Sequence, residues 1–297
     1  AGNGGSSSSV SVINGSDNDD TGLIQTAGNN AAAISSISRG GSGSSDGAPS
    51  GSVAIGGNGG NGGSAGNVEV DNYSTLITQG DNAAGISAQS LGGDAGVAAT
   101  AHYAGFPVAT NGTVGNAGAV VITNSGKVET FGKNSGGIGG LSQGAVAGAV
   151  TITNSGTVMT TGDQSFGISA QSLGEQSSGL VKVTNISNIM TNGENANALE
   201  ARSVISDSKP TLSRFMASTR SVYLSNFLAV PSNGSAGNVV VNQTRNLIAT
   251  GAGSSAIYAQ STGTNNGNID ITVEAGSTLI GGAAGGSGVS LIGGAQN

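Results

Sequence analysis

The sequence contains no cysteine and no tryptophan, and only 3% of its 297 residues are aromatic. The lack of cysteine excludes disulfides, thiol catalysis and cysteine-based metal sites. Charged residues make up 8%, so serine, threonine, asparagine and glycine supply most of the polar surface. With 55 glycines and few large side chains, the chain has little with which to fill an ordinary globular core. The composition therefore predicts a narrow core built from a repeated unit.

The sequence also lacks any concentration of positive charge. Its nine Lys and Arg residues are scattered, and a net charge of −7 would repel phosphate backbones, so we expect no nucleic-acid partner. Long apolar runs are missing as well, because no stretch approaches the roughly 18 apolar residues of a membrane helix. We therefore expect no membrane insertion by this segment.

A unit of about 30 residues recurs along the chain, most clearly as GAVTITNSGTVMTTGDQSFGISAQSLG at 148–174. Seven copies align on one aliphatic column, with separations of 52, 52, 30, 31, 58 and 32 residues. The column consists of Ile34, Ile86, Ile138, Ile168, Leu199, Ile257 and Val289. The longer separations place insertions after copies one, two and five, at 42–65, 94–117 and 205–235.

Each copy contains three short runs in which apolar and polar residues alternate, as expected for strands with one buried face. In copy four the three runs place Val150 and Ile152, then Val158, then Ile168 on the inward side. Because each column holds one kind of side chain, successive copies should stack at strand spacing. We predict an all-β, single-stranded right-handed parallel β-helix of about seven three-strand coils, forming one domain over 1–297 with loop insertions.

Two further columns mark the corners between runs. One column is the glycine that follows the second run, where a turn, often with positive φ, is expected. It consists of Gly28, Gly80, Gly132, Gly162, Gly193 and Gly251. The other column is the asparagine that follows the first run, where stacked amides should form a ladder. It consists of Asn14, Asn72, Asn124, Asn154 and Asn185. A β-sandwich of short antiparallel strands also predicts alternation and turns, but it does not predict matched columns between copies. A helical interpretation fails because glycine and β-branched residues dominate every run.

The stretches GNVEVDN at 66–72, GISAQSLGG at 85–93 and ITNSGTVMTTGD at 152–163 resemble a known repeat. They are similar to the glycine-rich repeat region of the passenger domains of large Gram-negative autotransporter adhesins. The resemblance covers nearly the whole chain through all seven copies. It implies export to the outer surface of a Gram-negative bacterium, a β-helical stalk, and roles in adhesion, aggregation or biofilm formation.

Candidate catalytic groups are few. Asp163 and Glu194 fall at the same corner of successive copies and are the best candidate for a paired-carboxylate site acting on polysaccharides. A solvated turn is the preferred interpretation, because no arginine or aromatic residue accompanies the pair. His102 is the only histidine, and no nucleophile-elbow motif lies near it. We predict that the protein is not an enzyme and uses no cofactor.

Two other segments have some features of a ligand site. Asp17, Asp19 and Asp20 lie in SDNDDTG, which offers oxygen ligands for calcium but lacks the glutamate of an EF-hand loop. An exposed acidic turn is the preferred interpretation, and we predict no metal site. The stretch GGNGGNGG at 56–63 lacks the Lys-Ser or Lys-Thr of a phosphate loop. It is interpreted as a flexible surface loop.

Departures from the repeat are the candidate partner-binding regions. In the second insertion, Tyr103 and Phe106 either insert into a partner or, preferably, pin the insertion to the rod. Residues 211–229 predict a short amphipathic helix between two prolines. Its candidate contact residues are Phe215, Met216, Tyr223 and Phe227. A matching apolar surface is predicted at outward positions of the second run, namely Met159, Met190 and Ile248.

Three functions are consistent with this pattern, in order of preference. The first is an extracellular structural or adhesive β-helical protein, whose partner is itself or a host, matrix or cell-surface molecule. The second is a fibre subunit that stacks head to tail into a filament, because open coil ends are unpaired strand edges. The third is a polysaccharide-acting β-helix enzyme.

Overall fold

The computed structural model describes residues 1–16, 22–46, 57–98, 102–103, 106–107, 109–205 and 233–293. These residues form three sheets of seven strands each and one two-stranded hairpin. No helix occurs in the described ranges. The prediction of an all-β fold is confirmed.

Each sheet takes one strand from every coil. The first sheet contains β1 (Val10–Asn14), β4 (Val68–Asn72), β9 (Val120–Asn124), β12 (Val150–Asn154), β15 (Val181–Asn185), β18 (Val239–Gln243) and β21 (Ile269–Val273). The second contains β2 (Leu23–Thr26), β5 (Thr75–Thr78), β10 (Val128–Thr130), β13 (Val158–Thr160), β16 (Ile189–Thr191), β19 (Leu247–Ala249) and β22 (Leu279–Ile280). The third contains β3 (Ile34–Arg39), β6 (Ile86–Leu91), β11 (Ile138–Val146), β14 (Ile168–Ser177), β17 (Leu199–Ile205), β20 (Ile257–Thr262) and β23 (Val289–Gly293). The hairpin consists of β7 (His102–Tyr103) and β8 (Phe106–Pro107).

The strands of each sheet are parallel and follow the order of the coils. In the first sheet Val150 pairs with Val120 on one side and with Val181 on the other. The second and third sheets keep the same register, so every turn of the chain adds one layer to all three sheets. The predicted parallel β-helix of seven coils, with its matched columns, is confirmed.

The core is a narrow stack of aliphatic side chains, one layer per coil. In coil four the layer consists of Val150, Ile152, Val158 and Ile168, none more than 2% exposed. Ala170 leaves room for these larger side chains on the third sheet. Because inward positions coincide from coil to coil, the layers merge into one continuous core along the rod.

The predicted amide ladder lies at the corner after the first strand. Asn124 Nδ2 donates to Asn154 Oδ1 at 2.7 Å, and Asn154 Nδ2 donates to Asn185 Oδ1 at 2.6 Å. Each Nδ2 also donates to the carbonyl oxygen two residues ahead, at 2.7 Å for Asn154. The ladder extends from Asn14 in coil one to Gln243 in coil six. It supplies partners for polar groups that the corner buries.

Hydroxyl groups close the other two corners. Thr160 Oγ1 donates to Ser165 O at 2.8 Å across the second corner. At the third corner, Ser142 Oγ donates to Gly118 O and accepts from Gly148 N–H, both at 2.8 Å. Since these two glycines precede the first strands of coils three and four, one serine links two coils.

The corner glycines have a different role from the predicted one. None of the six glycines in this column has a positive φ. The residue with positive φ lies two positions later, for example Asn82 (55°), Asn134 (54°) and Gln164 (58°). Glycine is required because the coils approach closely. A Cβ on Gly162 would lie 1.8 Å from the Gly132 carbonyl oxygen. The prediction of positive φ at these glycines is wrong.

Glycine-rich segments beside coils one to three form a second regular structure, which we call the glycine lattice. It consists of the outgoing segments 40–46 and 92–98 and the returning segments 1–9, 57–66 and 109–118. The returning segments are parallel to one another. Gly4 N–H donates to Asn61 O at 2.7 Å and Ser7 N–H donates to Ser64 O at 2.9 Å, so this bond recurs at every third residue.

Outgoing and returning segments pair in the antiparallel sense, as in the 2.8 Å bond from Gly63 N–H to Gly41 O. A three-residue repeat whose hydrogen bonds all leave the segment is the geometry of a polyproline-II helix. Glycine permits the close packing, since a Cβ on Gly59 would lie 2.0 Å from Gly96 O. The interpretation of GGNGGNGG at 56–63 as a flexible loop is therefore wrong for the part that the structure describes.

Candidate functional site

The outward face of the second sheet carries a row of apolar side chains. The register pairs Met159 with Met190, Met190 with Ile248, and Ile248 with Ile280. Met190 and Ile280 are 40% and 44% exposed, and the other two are half-buried. We call these four residues the apolar row. The sequence prediction missed Ile280, because the second run of copy seven starts later than in the other copies: Leu279 follows Ile271 by eight residues, whereas Leu247 follows Val241 by six.

The columns beside the apolar row are polar and uncharged. Asn188 Oδ1 accepts from Asn246 N–H at 3.1 Å, and Asn246 Oδ1 accepts from Thr278 N–H at 2.9 Å, which fixes one border in place. Charges on this face of the sheet occur in coil three, where Lys127 Nζ lies 2.8 Å from Glu129 Oε1. The row is therefore an apolar stripe with hydrogen-bonding borders and without charge in coils four to seven.

Other predicted contact residues are only partly covered by the structure. Tyr103 pairs with Phe106 in the hairpin, and only the backbone of these two residues is described. The segment 211–229, with its predicted helix, lies outside the described residues. So do the predicted contact residues Phe215, Met216, Tyr223 and Phe227, and the acidic turn with Asp17, Asp19 and Asp20. These contacts stay predictions.

The two acids of the candidate catalytic pair lie at the second corner, where the carboxylate of Asp163 accepts from the backbone of Glu194. Asp163 Oδ1 accepts from Glu194 N–H at 3.1 Å, and its Oδ2 lies 3.7 Å from Lys133 Nζ. One coil earlier, Asp81 Oδ1 accepts from Lys133 N–H at 2.8 Å. Carboxylates at this position therefore supply acceptors for backbone donors of the next coil, which is a structural use of the acid.

The outward face of the third sheet holds a buried polar cluster that the sequence prediction missed. In coil five, Glu200 and Arg202 stand where coil four has Ser169 and Gln171. Arg202 Nη1 lies 3.4 Å from Glu200 Oε1, and the two side chains are only 4% and 8% exposed. Arg202 Nε also donates to Gln260 Oε1 at 3.0 Å. The aligned stretches LEARSV and ISAQSL carry the signal, since charge replaces serine and glutamine in one copy only.

Tyr258 completes this cluster on the neighbouring strand. The Arg202 guanidinium carbon lies 5.9 Å from the centre of the Tyr258 ring, within the reach of a cation–π contact. Burial raises the pKa of the Tyr258 hydroxyl, while the charge of Arg202 lowers it and that of Glu200 raises it further. Arg202 Nη2 has no hydrogen-bond partner among the described residues. The cluster is thus buried, charged and incompletely paired.

Comparison with models of protein families, with curated proteins and with solved structures finds no match for this chain. Within the described ranges, no group of three or more His, Asp or Glu residues is placed to hold a metal ion. The same ranges contain no helix long and apolar enough to span a membrane.

Proposed function

We propose that the protein is an extracellular structural or adhesive β-helical protein, located at the outer surface of a Gram-negative bacterium. It attaches to itself or to a host, matrix or cell-surface molecule through the apolar row. The observation that carries this proposal is the apolar row itself, because contiguous apolar side chains that are exposed or half-buried on a surface mark interaction sites. The resemblance of the repeats to autotransporter passenger regions supports the location.

The size of the apolar row determines how such an attachment operates. Four residues at the ~4.8 Å spacing of parallel strands make a row about 14 Å long. Such a row covers far less than the roughly 800 Å² per partner of a stable interface. Each contact is therefore weak, and stable attachment requires many copies acting together on one surface.

The test replaces the apolar side chains of the row with polar ones and leaves the core side chains unchanged. The variant Met159→Ser/Met190→Ser/Ile248→Ser gives these positions the polar character of their neighbours. The control, Val121→Ser/Val240→Ser, removes outward apolar groups from the first sheet. We expect the triple variant, and not the control, to lose binding to cells, matrix or itself in surface-binding and sedimentation assays. Equal binding by both variants would contradict the proposal.

The segment 211–229 provides a separate test. The sequence predicts that its apolar face is buried, either on its own rod or on a neighbouring molecule. Deleting 211–229 distinguishes the two roles. Loss of assembly or adhesion with the coils intact supports contact between molecules, whereas a destabilised rod that still adheres supports a clip on the same chain.

Head-to-tail stacking into a fibre is the second candidate. The parallel register is compatible with it, because coils join one another through backbone hydrogen bonds in all three sheets. The side-chain ladders oppose it, because Val273 stands at the position of Gln243 and Gly293 at that of Ser261. A second copy stacked on coil seven would therefore find no amide partner for Asn14. Electron microscopy decides this, and isolated short rods at high concentration would exclude the fibre.

The proposal assigns no catalytic role to the protein. The alternative, a polysaccharide-acting enzyme, requires the carboxylates of Asp163 and Glu194. If a polysaccharide-degrading activity is detected and the variant Asp163→Asn/Glu194→Gln retains it, that assignment is wrong.

A further inference from the structure

The outward face of the third sheet is buried, unlike the outward faces of the other two sheets. Within coil three, Val121 of the first sheet is 38% exposed and Phe131, directly after the second-sheet strand, is 43% exposed. Leu141 of the third sheet is 2% exposed. Val121 and Leu141 are both flanked by strands of coils two and four. Flanking strands therefore do not account for the burial of Leu141.

The burial of this outward face extends over five coils. The register aligns one outward column from coil two to coil six, and we call its five residues the third-sheet face. They are Gln89, Leu141, Gln171, Arg202 and Gln260. Four of them are at most 5% exposed, and Gln171 is half-buried. At the ~4.8 Å spacing of parallel strands, the third-sheet face is about 19 Å long.

The sheets and the glycine lattice are not placed to cover the third-sheet face. The inward sides of all three sheets meet in one core, so the outward side of the third sheet points away from the other two. The glycine lattice lies beside coils one to three, whereas Arg202 and Gln260 belong to coils five and six. Another part of the polypeptide is therefore required above this face.

Segment 206–232, which lies outside the described residues, is the best placed part of the chain. It leaves the rod after Ile205, the last residue of β17, and the described chain resumes at 233. Ser235 then pairs with Ser177 at the end of β14, so both ends of the segment adjoin the third sheet. The segment has 27 residues, and no other stretch outside the described residues exceeds ten. The helix predicted at 211–229 would be about 28 Å long, enough to cross five coils.

We propose that segment 206–232 packs against the third-sheet face of its own chain. The apolar side of the predicted helix then lies on the third sheet and not on the apolar row of the second sheet. The apolar row is thereby left free for a partner. This inference does not rest on the proposed adhesive function, since the burial of the third sheet carries it.

The shape of the third sheet fits an occupant with aromatic side chains. Next to the third-sheet face, the register aligns Ser87, Gly139 and Ser169, which are small and buried. Small residues leave a furrow along the rod, and large side chains from above can fill it. Segment 206–232 supplies such side chains, in a chain with 3% aromatic residues. They are Phe215, Tyr223 and Phe227.

The charge of the segment is also complementary. Segment 206–232 contains three of the nine basic residues of the chain and one acid, a net charge of +2. On the outward side of coils four and five, the acids Glu175 and Glu200 outnumber the base Arg202. A basic segment is therefore favoured on this side of a rod whose chain carries a net charge of −7.

The test uses single cysteines in the whole chain, which has no cysteine of its own. Leu141→Cys and Val204→Cys place a thiol at buried outward positions of the third sheet. We expect both thiols to react slowly with a maleimide, and deletion of 211–229 to raise both rates by about tenfold or more. Val121→Cys and Met190→Cys are the controls on the first and second sheets. Their rates should be the same with and without 211–229.

Other occupants predict different rates. If the deletion accelerates Met190→Cys, the segment lies on the apolar row and the inference is wrong. Protection that survives the deletion would also overturn it, with loss on deleting 102–107 indicating the second insertion and loss on dilution indicating a second copy. If the deletion variant does not fold, Phe215→Ser/Tyr223→Ser/Phe227→Ser keeps the chain length and should raise the same two rates. Unchanged rates in that variant would count against the inference, and adhesion, measured separately, tests the proposed function.

Discussion

At the scale of single residues, short polar side chains act as connectors between coils. Asn154 makes three hydrogen bonds, two along the ladder and one to its own corner. Its position is fully buried, so no water replaces a lost partner. Such ladders place uncharged hydrogen-bonding groups inside a core too narrow for large side chains, which explains why asparagine, threonine and serine recur at fixed places.

Asn154→Ala should destabilise the rod. The change orphans buried groups of Asn124 and Asn185, and each unsatisfied group costs about 1–3 kcal/mol. Thr153→Ala, on the exposed side of the same strand, is the matched control and should change stability by about 0.5 kcal/mol or less. Urea unfolding followed by circular dichroism measures both, and equal midpoints would contradict the role of the ladder.

Steric contact between corner glycines leads to a second residue-scale prediction. Gly162→Ala places a Cβ against the Gly132 carbonyl and should cost about 1–3 kcal/mol or more, because the backbone has to move. Gly28→Ala is the control from the same column, where the nearest atom to a Cβ is 3.7 Å away, on Ala31. It should be tolerated. Similar losses in thermal unfolding for both variants would show that backbone conformation, and not contact, selects glycine here.

At the scale of the element, strand β17 departs from the other strands of its sheet. Most coils place neutral side chains on this outward face, and coil five places Glu200 and Arg202 there, almost completely buried. Removing two charges from water costs more than an imperfect pair returns, so such a pair adds little net stability. The two charges are coupled in energy, because either one without the other would be a buried and unpaired charge, which strongly destabilises the folded state.

Arg202→Gln should therefore destabilise the protein by about 3–5 kcal/mol, because it leaves Glu200 buried without its cation. The double variant Glu200→Ser/Arg202→Gln introduces the residues of coil four, where Gln171 Nε2 donates to Ser169 Oγ at 2.9 Å. We expect it to recover most of the loss. Chemical denaturation of the single and double variants measures the coupling, and additive losses would show that the pair does not act as a unit.

At the scale of the whole molecule, the rod is a one-dimensional stack in which each coil contacts only its neighbours. Its stability should therefore be close to a sum over coils and the interfaces between them. The columns make the coils nearly interchangeable, since inward positions coincide in register from β1 to β21.

Deleting residues 150–180 removes one complete coil and joins coil three to coil five with every column aligned. We expect a folded, shorter and less stable rod with an unchanged circular dichroism shape. Deleting 150–164 instead removes two strands and keeps the third, so inward side chains meet the wrong columns. That variant should fail to fold, and a stable product from it would contradict the view that column register holds the stack together.

The sequence by itself determined the coil number, the strand positions and the inward columns. The physical reason is that stacked coils bring equivalent positions together, so the repeat already contains its own tertiary contacts, such as Val150 upon Val120. The amide ladder followed from the same argument. The outward Met159, Met190 and Ile248 were also predictable, because alternation within a strand decides which side chains face away from the core.

Only the tertiary structure decided what the glycines do. A Gly-Gly-Xaa stretch has no apolar periodicity, so in sequence it cannot be distinguished from a flexible linker. Its conformation follows from hydrogen bonds to segments some 50 residues away, as between Gly59 and Thr110. The same holds for Gly162, whose need for glycine arises from a carbonyl one coil earlier, and for Glu200 and Arg202, whose burial depends on the packed fold. These features depend on contacts between residues that are far apart in the sequence, and a local sequence pattern does not reveal such contacts.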